Sequence, residues 1–113
     1  RFVVLRHDSP AGPHWDFMLE FADTLRTWAL QDEPTAAQTV AAHALPDHRP
    51  AYLDYEGPVS GDRGSVERFD RGTFDVVEFK DDLLVVQLAG SKLMGRAVIE
   101  RVGDCWEFRF VPD

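Results

Sequence analysis

The chain holds a single cysteine in 113 residues, Cys105, so no disulfide can form within it. In the segment Cys-Trp-Glu-Phe-Arg-Phe that cysteine reads as a small core or strand residue rather than a catalytic thiol. No run approaches the roughly 20 apolar residues that a membrane-crossing helix needs, and no charged stretch followed by an apolar one opens the chain. These absences predict a soluble, cytoplasmic protein with no membrane partner. Basic residues are also scarce: 12 Lys and Arg against 20 Asp and Glu leave a net charge of -8. Broad nucleic-acid binding draws on clustered Lys and Arg that neutralise phosphates, so this chain is not expected to coat long duplexes. A short, salt-sensitive contact with a phosphate terminus stays open if a bound divalent cation supplies the local positive charge. Internal repeats, heptads and low-complexity tracts are missing. With 44% hydrophobic content, residues 1–113 suit one domain with one core.

What the sequence does have is alternation. In His14-Trp15-Asp16-Phe17-Met18-Leu19-Glu20 the apolar set is Trp15, Phe17 and Leu19. As a strand, this run turns His14, Asp16, Met18 and Glu20 to the opposite face, free for chemistry. His14 and Asp16 are then about 6.6 Å apart along the strand and can converge on one ion. Arg1 to His7 alternates likewise and ends at Asp8-Ser9-Pro10-Ala11-Gly12-Pro13, a turn that returns the chain into His14. A hairpin therefore brings His7 and His14 to the same end, with His7 the natural third ligand. Two His and one carboxylate suit a divalent transition metal, and the same set also suits a non-haem iron oxygenase.

Thr24 to Leu30 reads as a third strand, with Arg26 and Trp28 on one face. Gln31-Asp32-Glu33-Pro34 breaks the pattern, and Thr35 to Leu45 is ambiguous between an Ala-rich helix and a strand around Thr39 to Leu45, with strand preferred. The two prolines of Pro46-Asp47-His48-Arg49-Pro50 predict that regular structure stops there and that His48 is presented from a loop or strand end. One helical turn would set Tyr52 over His48. Beyond the turn-rich Gly57 to Gly64, short strands are expected at Ser65 to Phe69, Thr73 to Phe79, Leu83 to Ala89, Lys92 to Arg101 and Cys105 to Val111, with Asp70-Arg71-Gly72 among the turns. Regular short strands with such punctuation predict a mainly β fold, an antiparallel barrel or sandwich with little helix. Trp106, Phe108 and Phe110 alternate with Glu107 and Arg109 and face the core. Strand alternation makes the Trp and Phe residues core rather than base-stacking platforms, and His43 reads as structural or solvent-exposed.

Taken together these residues resemble the 3'-phosphoesterase domain found at the N-terminus of bacterial DNA ligase D and as stand-alone proteins. The resemblance rests on the strand before His7, on His14 to Glu20, on Leu25-Arg26-Thr27-Trp28-Ala29, and on Asp47-His48, Tyr52 and Tyr55-Glu56-Gly57. Gly61, Gly64, Asp70-Arg71-Gly72-Thr73 and the run from Gly90 through Lys92-Leu93 to Gly95 complete it. It implies a small antiparallel β-barrel with a crescent-shaped cavity and a metal-dependent phosphoesterase of DNA repair that trims phosphates and ribonucleotides from nucleic-acid 3' ends. Manganese is the implied metal, with zinc or another transition metal as alternatives, and repair ligases and polymerases are the implied protein partners. By the same resemblance His7, His14 and Asp16 are the metal ligands, while His48 and Tyr52 contact the scissile phosphate.

The pattern departs in three places. Met18 stands where active ligase domains carry Arg, the Arg upstream of the Asp-His pair has no counterpart around Thr39 to Ala42, and the connection from His7 to His14 is one residue longer. A bidentate Arg stabilises a phosphate oxyanion more strongly than neutral donors, and Met offers nothing comparable. Arg26 and Arg49 are the replacement phosphate ligands the sequence offers, followed by Arg63. The expected function is thus a divalent-metal 3'-phosphoesterase, with a weakly active or inactive module that binds metal and phosphorylated ends as the alternative.

Overall fold

The computed structural model describes residues 1–36 and 38–113. Its regular structure is nearly all strand: β1 (Phe2–Ser9), β2 (Gly12–Phe21), β3 (Thr24–Leu30), β4 (Val40–His48), β5 (Gly57–Pro58), β6 (Ser65–Lys80), β7 (Leu83–Gly90), β8 (Met94–Val102) and β9 (Cys105–Pro112). One 3-10 turn, η1 (Pro50–Leu53), follows β4. The strands form a single antiparallel sheet in the order β1-β2-β3-β4-β9-β8-β7-β6, and a further pairing of β6 with β1 closes these eight into a ring. Short β5 pairs with the start of β6.

Alternation sorts the side chains of this ring. Phe2, Val4, Phe17, Leu19, Trp28, Leu30, Val40, Ala42, Val86, Ile99, Phe108 and Phe110 turn inward into one buried cluster. The predicted inward faces of β2 and β9 are therefore found. The opposite face of β1 to β3 is covered locally: Val3, Leu5, Met18, Leu25 and Val66 form a second cluster, closed by Leu53 from η1 and packed on its edge by Tyr52 and Val59.

Several local expectations are corrected. Asp70-Arg71-Gly72 is not a turn, because β6 runs through it for 16 residues while exchanging partners. Its first half pairs with β1 and its second with β7. The buried Asp70 carboxylate accepts hydrogen bonds from the backbone N–H groups of Ser91, Lys92 and Leu93 at 2.8–3.1 Å. At Gly72 a Cβ would fall 2.0 Å from the Ala89 carbonyl oxygen, so only glycine lets the strands approach there. β4 likewise continues through Pro46 to His48. Pro46 and Asp47 occupy an irregularity between the Thr27↔Leu45 and Leu25↔His48 pairs, where the ladder does not need the missing proline donor. Of the ambiguous stretch from Thr35, strand begins at Val40, and Ala37 lies outside the described residues. Cys105 is on a strand but exposed, so it is no core residue. No helix among the described residues is long and apolar enough to cross a membrane.

Candidate metal and phosphate site

Antiparallel register places the three histidine and aspartate groups together. His7 lies directly across from His14, and Asp16 lies across from Leu5. All three side chains leave the sheet on the face opposite the ring interior, as the alternation predicts. The imidazoles of His7 and His14 have centroids 4.6 Å apart. One ligand atom from each of His7, His14 and Asp16 falls within 4.8 Å of the others.

The ring of His7 is held from its far side. Its Nε2 lies 2.7 Å from the Arg63 carbonyl oxygen, which can only accept, so Nε2 carries the proton and donates. Nδ1 is left facing the site, 3.4 Å from Asp16 Oδ2. This backbone clamp is the support that metal-bound histidines receive from outer partners. The loop that supplies it presses close at Gly64, whose φ is +89° and where a Cβ would fall 1.8 Å from the Asp8 carbonyl oxygen. Sequence reasoning missed the Arg63 carbonyl, since a main-chain acceptor 56 residues from His7 leaves no side-chain signature.

Asp16 is 3% exposed, where an ionised carboxylate needs compensation. His14 Nε2 approaches its Oδ1 at 2.9 Å. That oxygen nevertheless has no aligned hydrogen-bond donor among the described residues. The polar contact with Asp16 holds the His14 pKa above its ordinary value, burial opposes this, and the carboxylate charge adds to the rise. A buried carboxylate with one oxygen orphaned and an imidazole nitrogen near each of its two oxygens is the donor set a divalent metal takes. The residues present therefore fit the implied cation.

The second half of the site comes from β4 and η1. His48 ends β4, and Tyr52 sits in η1 as the sequence spacing suggests; their rings meet edge to face at 5.5 Å. Nδ1 of His48 is 2.9 Å from the Pro46 carbonyl oxygen, so Nδ1 donates there and Nε2 is the ring nitrogen left for other partners. Arg49, exposed beside His48, lines a cavity of about 240 Å³ together with Tyr52, Tyr55, Pro58, Val59 and others. His43 is exposed, in register with Ala29 and through it with Asp16.

Other sequence candidates are placed elsewhere. Arg26 pairs with Leu19 on the inward face, and its guanidinium lies over the rings of Trp28 and Phe79 at 5.0 and 5.4 Å. It is thus on the other side of the sheet from Asp16. Arg63 spends its side chain on Ser60, with Nε 2.7 Å from the carbonyl oxygen and a terminal nitrogen 3.1 Å from Oγ. Met18 shares the face of Asp16, but that face is not open there: Met18 is 1% exposed in the second cluster. Glu20 pairs with the Arg1 guanidinium at 3.2 and 3.3 Å.

Comparison with known proteins bears on the same residues. Residues 5–101 match the family model of the DNA Ligase D 3'-phosphoesterase domain. The chain is 35% identical over 116 residues to the "Multifunctional non-homologous end joining DNA repair protein LigD" of Mycobacterium tuberculosis, covering 93% of this chain and 15% of that protein. It is 32% identical over 106 residues to the "Multifunctional non-homologous end joining protein LigD" of Pseudomonas aeruginosa, covering 85% and 12% respectively. The chain thus spans a small fraction of the relatives it matches. With a match along β1 to β8, and with the hairpin, the Asp-His pair and η1 inside it, this chain belongs to the DNA ligase D 3'-phosphoesterase domain family.

Proposed function

We propose that this domain is a divalent-metal phosphoesterase acting on the 3' ends of nucleic acid in end-joining repair, and that it removes a 3'-phosphate or a 3'-ribonucleotide. The observation that carries this reading is the buried Asp16 carboxylate, with Oδ1 lacking an aligned donor beside His14 Nε2 and Oδ2 facing His7 Nδ1. His7, His14 and Asp16 would hold the cation, manganese first. Bound there, it supplies a Lewis acid for a phosphate oxygen and lowers the pKa of a water. His48, protonated at Nε2 for this step, would give that proton to the leaving oxygen or donate it to a phosphate oxygen, with its ring fixed by Pro46. Tyr52 donates its hydroxyl to an oxygen that gains charge. Arg49 is the arginine beside these two residues that lines the same cavity, and it is the phosphate ligand in this reading. The name of the Mycobacterium tuberculosis relative supports the repair context, and ligase or polymerase proteins are the corresponding partners.

A second reading, a module that binds phosphorylated ends without turnover, is favoured by the position of Arg26 behind the sheet and by the burial of Met18. Primers ending in 3'-phosphate or a 3'-ribonucleotide, incubated with manganese, separate the two. Cleavage that Asp16→Asn abolishes establishes the phosphoesterase; tight end binding with no cleavage establishes the module.

A further inference from the structure

The cavity beside His48 has walls of a kind the phosphate chemistry does not require. Tyr52 and Tyr55 stand 5.8 Å apart with their ring planes at 84°, forming an aromatic corner. Pro58 and Val59 face it, Arg49 and Ser60 supply polar groups, and Ala51 opens space beside the rings. Tyr55 is 38% exposed, yet its hydroxyl donates to the Pro58 carbonyl, so the ring keeps one orientation while its surface stays accessible. Tyr52 is anchored differently, against the second cluster and against His48. The corner is therefore rigid before any ligand arrives, and no side chain of the protein fills its volume of about 240 Å³. That volume falls below the about 300–1,000 Å³ of pockets for drug-sized ligands and suits one flat ring system.

Position supplies the second argument. β5 pairs with β6 at Gly57↔Val66, and β6 pairs with β1 at Val66↔His7. Two strand spacings, about 10 Å, thus separate the Gly57 backbone from the His7 backbone. Tyr52 belongs to both places: its hydroxyl serves the phosphate reading and its ring walls the cavity.

We infer that the Tyr52–Tyr55–Val59 cavity seats the terminal nucleobase of the strand whose 3' phosphate the adjoining groups engage. The inference rests on the proposed function for the neighbouring phosphate, but the seat itself is a separate piece of chemistry. A base offers a π-face to the aromatic corner whatever its sequence, and Arg49 on the rim meets the strand's backbone charge. In an acidic protein this local stacking replaces the basic groove that other single-strand binders use.

The test titrates the intact protein by NMR with adenosine, with inorganic phosphate and with adenosine 3'-monophosphate, in the parent, Tyr55→Ala and Ala51→Phe. Adenosine alone is expected to shift the signals of Ala51 and Val59, and the monophosphate is expected to bind more tightly than either part. Tyr55→Ala should weaken adenosine and the monophosphate about tenfold or more while leaving phosphate unchanged. Ala51→Phe fills the cavity without removing a wall and should do the same. The inference is overturned if both variants bind the monophosphate as the parent does, or if they weaken phosphate and monophosphate equally. Adenosine binding in a protein that takes neither phosphate nor manganese would leave the base seat standing and remove the phosphoesterase reading. Phosphate binding to which adenosine adds nothing would do the reverse.

Discussion

His7, His14 and Asp16 stand on paired strands, whereas Tyr52 and Tyr55 stand on a segment that leaves the ladder at His48 and rejoins it only at Gly57. In the first region, cross-strand register fixes the geometry, and a displacement would have to slip β1 against β2. In the second, one buried leucine, Leu53, anchors the segment to the sheet, helped by ring contacts and by polar contacts of Asp54 with Arg71 and of Glu56 with Arg68. The two regions meet at the loop ahead of β6, where Val59 packs on the second cluster and the Arg63 carbonyl holds His7. The contrast assigns them different work: the hairpin presents charge at distances set by strand register, while the segment after β4 presents a preset aromatic wall.

The contrast can be broken most severely at Asp16. Asp16→Asn should lower manganese affinity by more than about 100-fold, beyond the loss expected for an outer partner alone, and should abolish end cleavage; calorimetric titration and a primer assay read both. Met18→Arg comes next. A guanidinium placed among Val3, Leu5, Leu25, Leu53 and Val66 should cost about 3 kcal/mol of stability in urea denaturation. Unchanged stability with a large gain in cleavage rate would show instead that the face is open at Met18 and that a phosphate clamp had been missing there. Leu53→Ala should cost about 2 kcal/mol and loosen η1, weakening nucleotide binding while manganese affinity stays within a few-fold of the parent.

The smallest effect concerns protons. Contact with Asp16 raises the His14 pKa in the folded, metal-free protein. The stability this contributes is fully present below the unfolded histidine value and is lost as pH rises through the raised folded value. Thermal unfolding of the metal-free protein across that window should therefore show a slight loss on the alkaline side, absent in His14→Gln.

Much of this arrangement was legible in the sequence, for identifiable reasons. Alternation in β1, β2 and β9 fixed which residues turn inward, and the turn between His7 and His14 fixed their meeting, because both follow from the two-residue period of a strand. The spacing of His48 and Tyr52 likewise predicted their contact. What escaped depends on partners distant in the chain. Asp70-Arg71-Gly72 has turn composition, but the Ser91 to Leu93 backbone converts it into the middle of β6. Met18 has the parity of a working-face residue, yet Leu53 covers it from η1. Arg26 looked usable from its neighbour strand, and the parity that set it beside Trp28 also sent it behind the sheet.

The central claim, that the His7–His14–Asp16 cluster is a divalent-metal centre, is tested most directly by pulsed electron paramagnetic resonance on the protein titrated with one equivalent of manganese. The account predicts a single bound ion whose spectrum carries couplings from two imidazole nitrogens, with one of them lost in His7→Ala and one in His14→Ala. A manganese spectrum with no nitrogen coupling, or one that neither substitution alters, would contradict it.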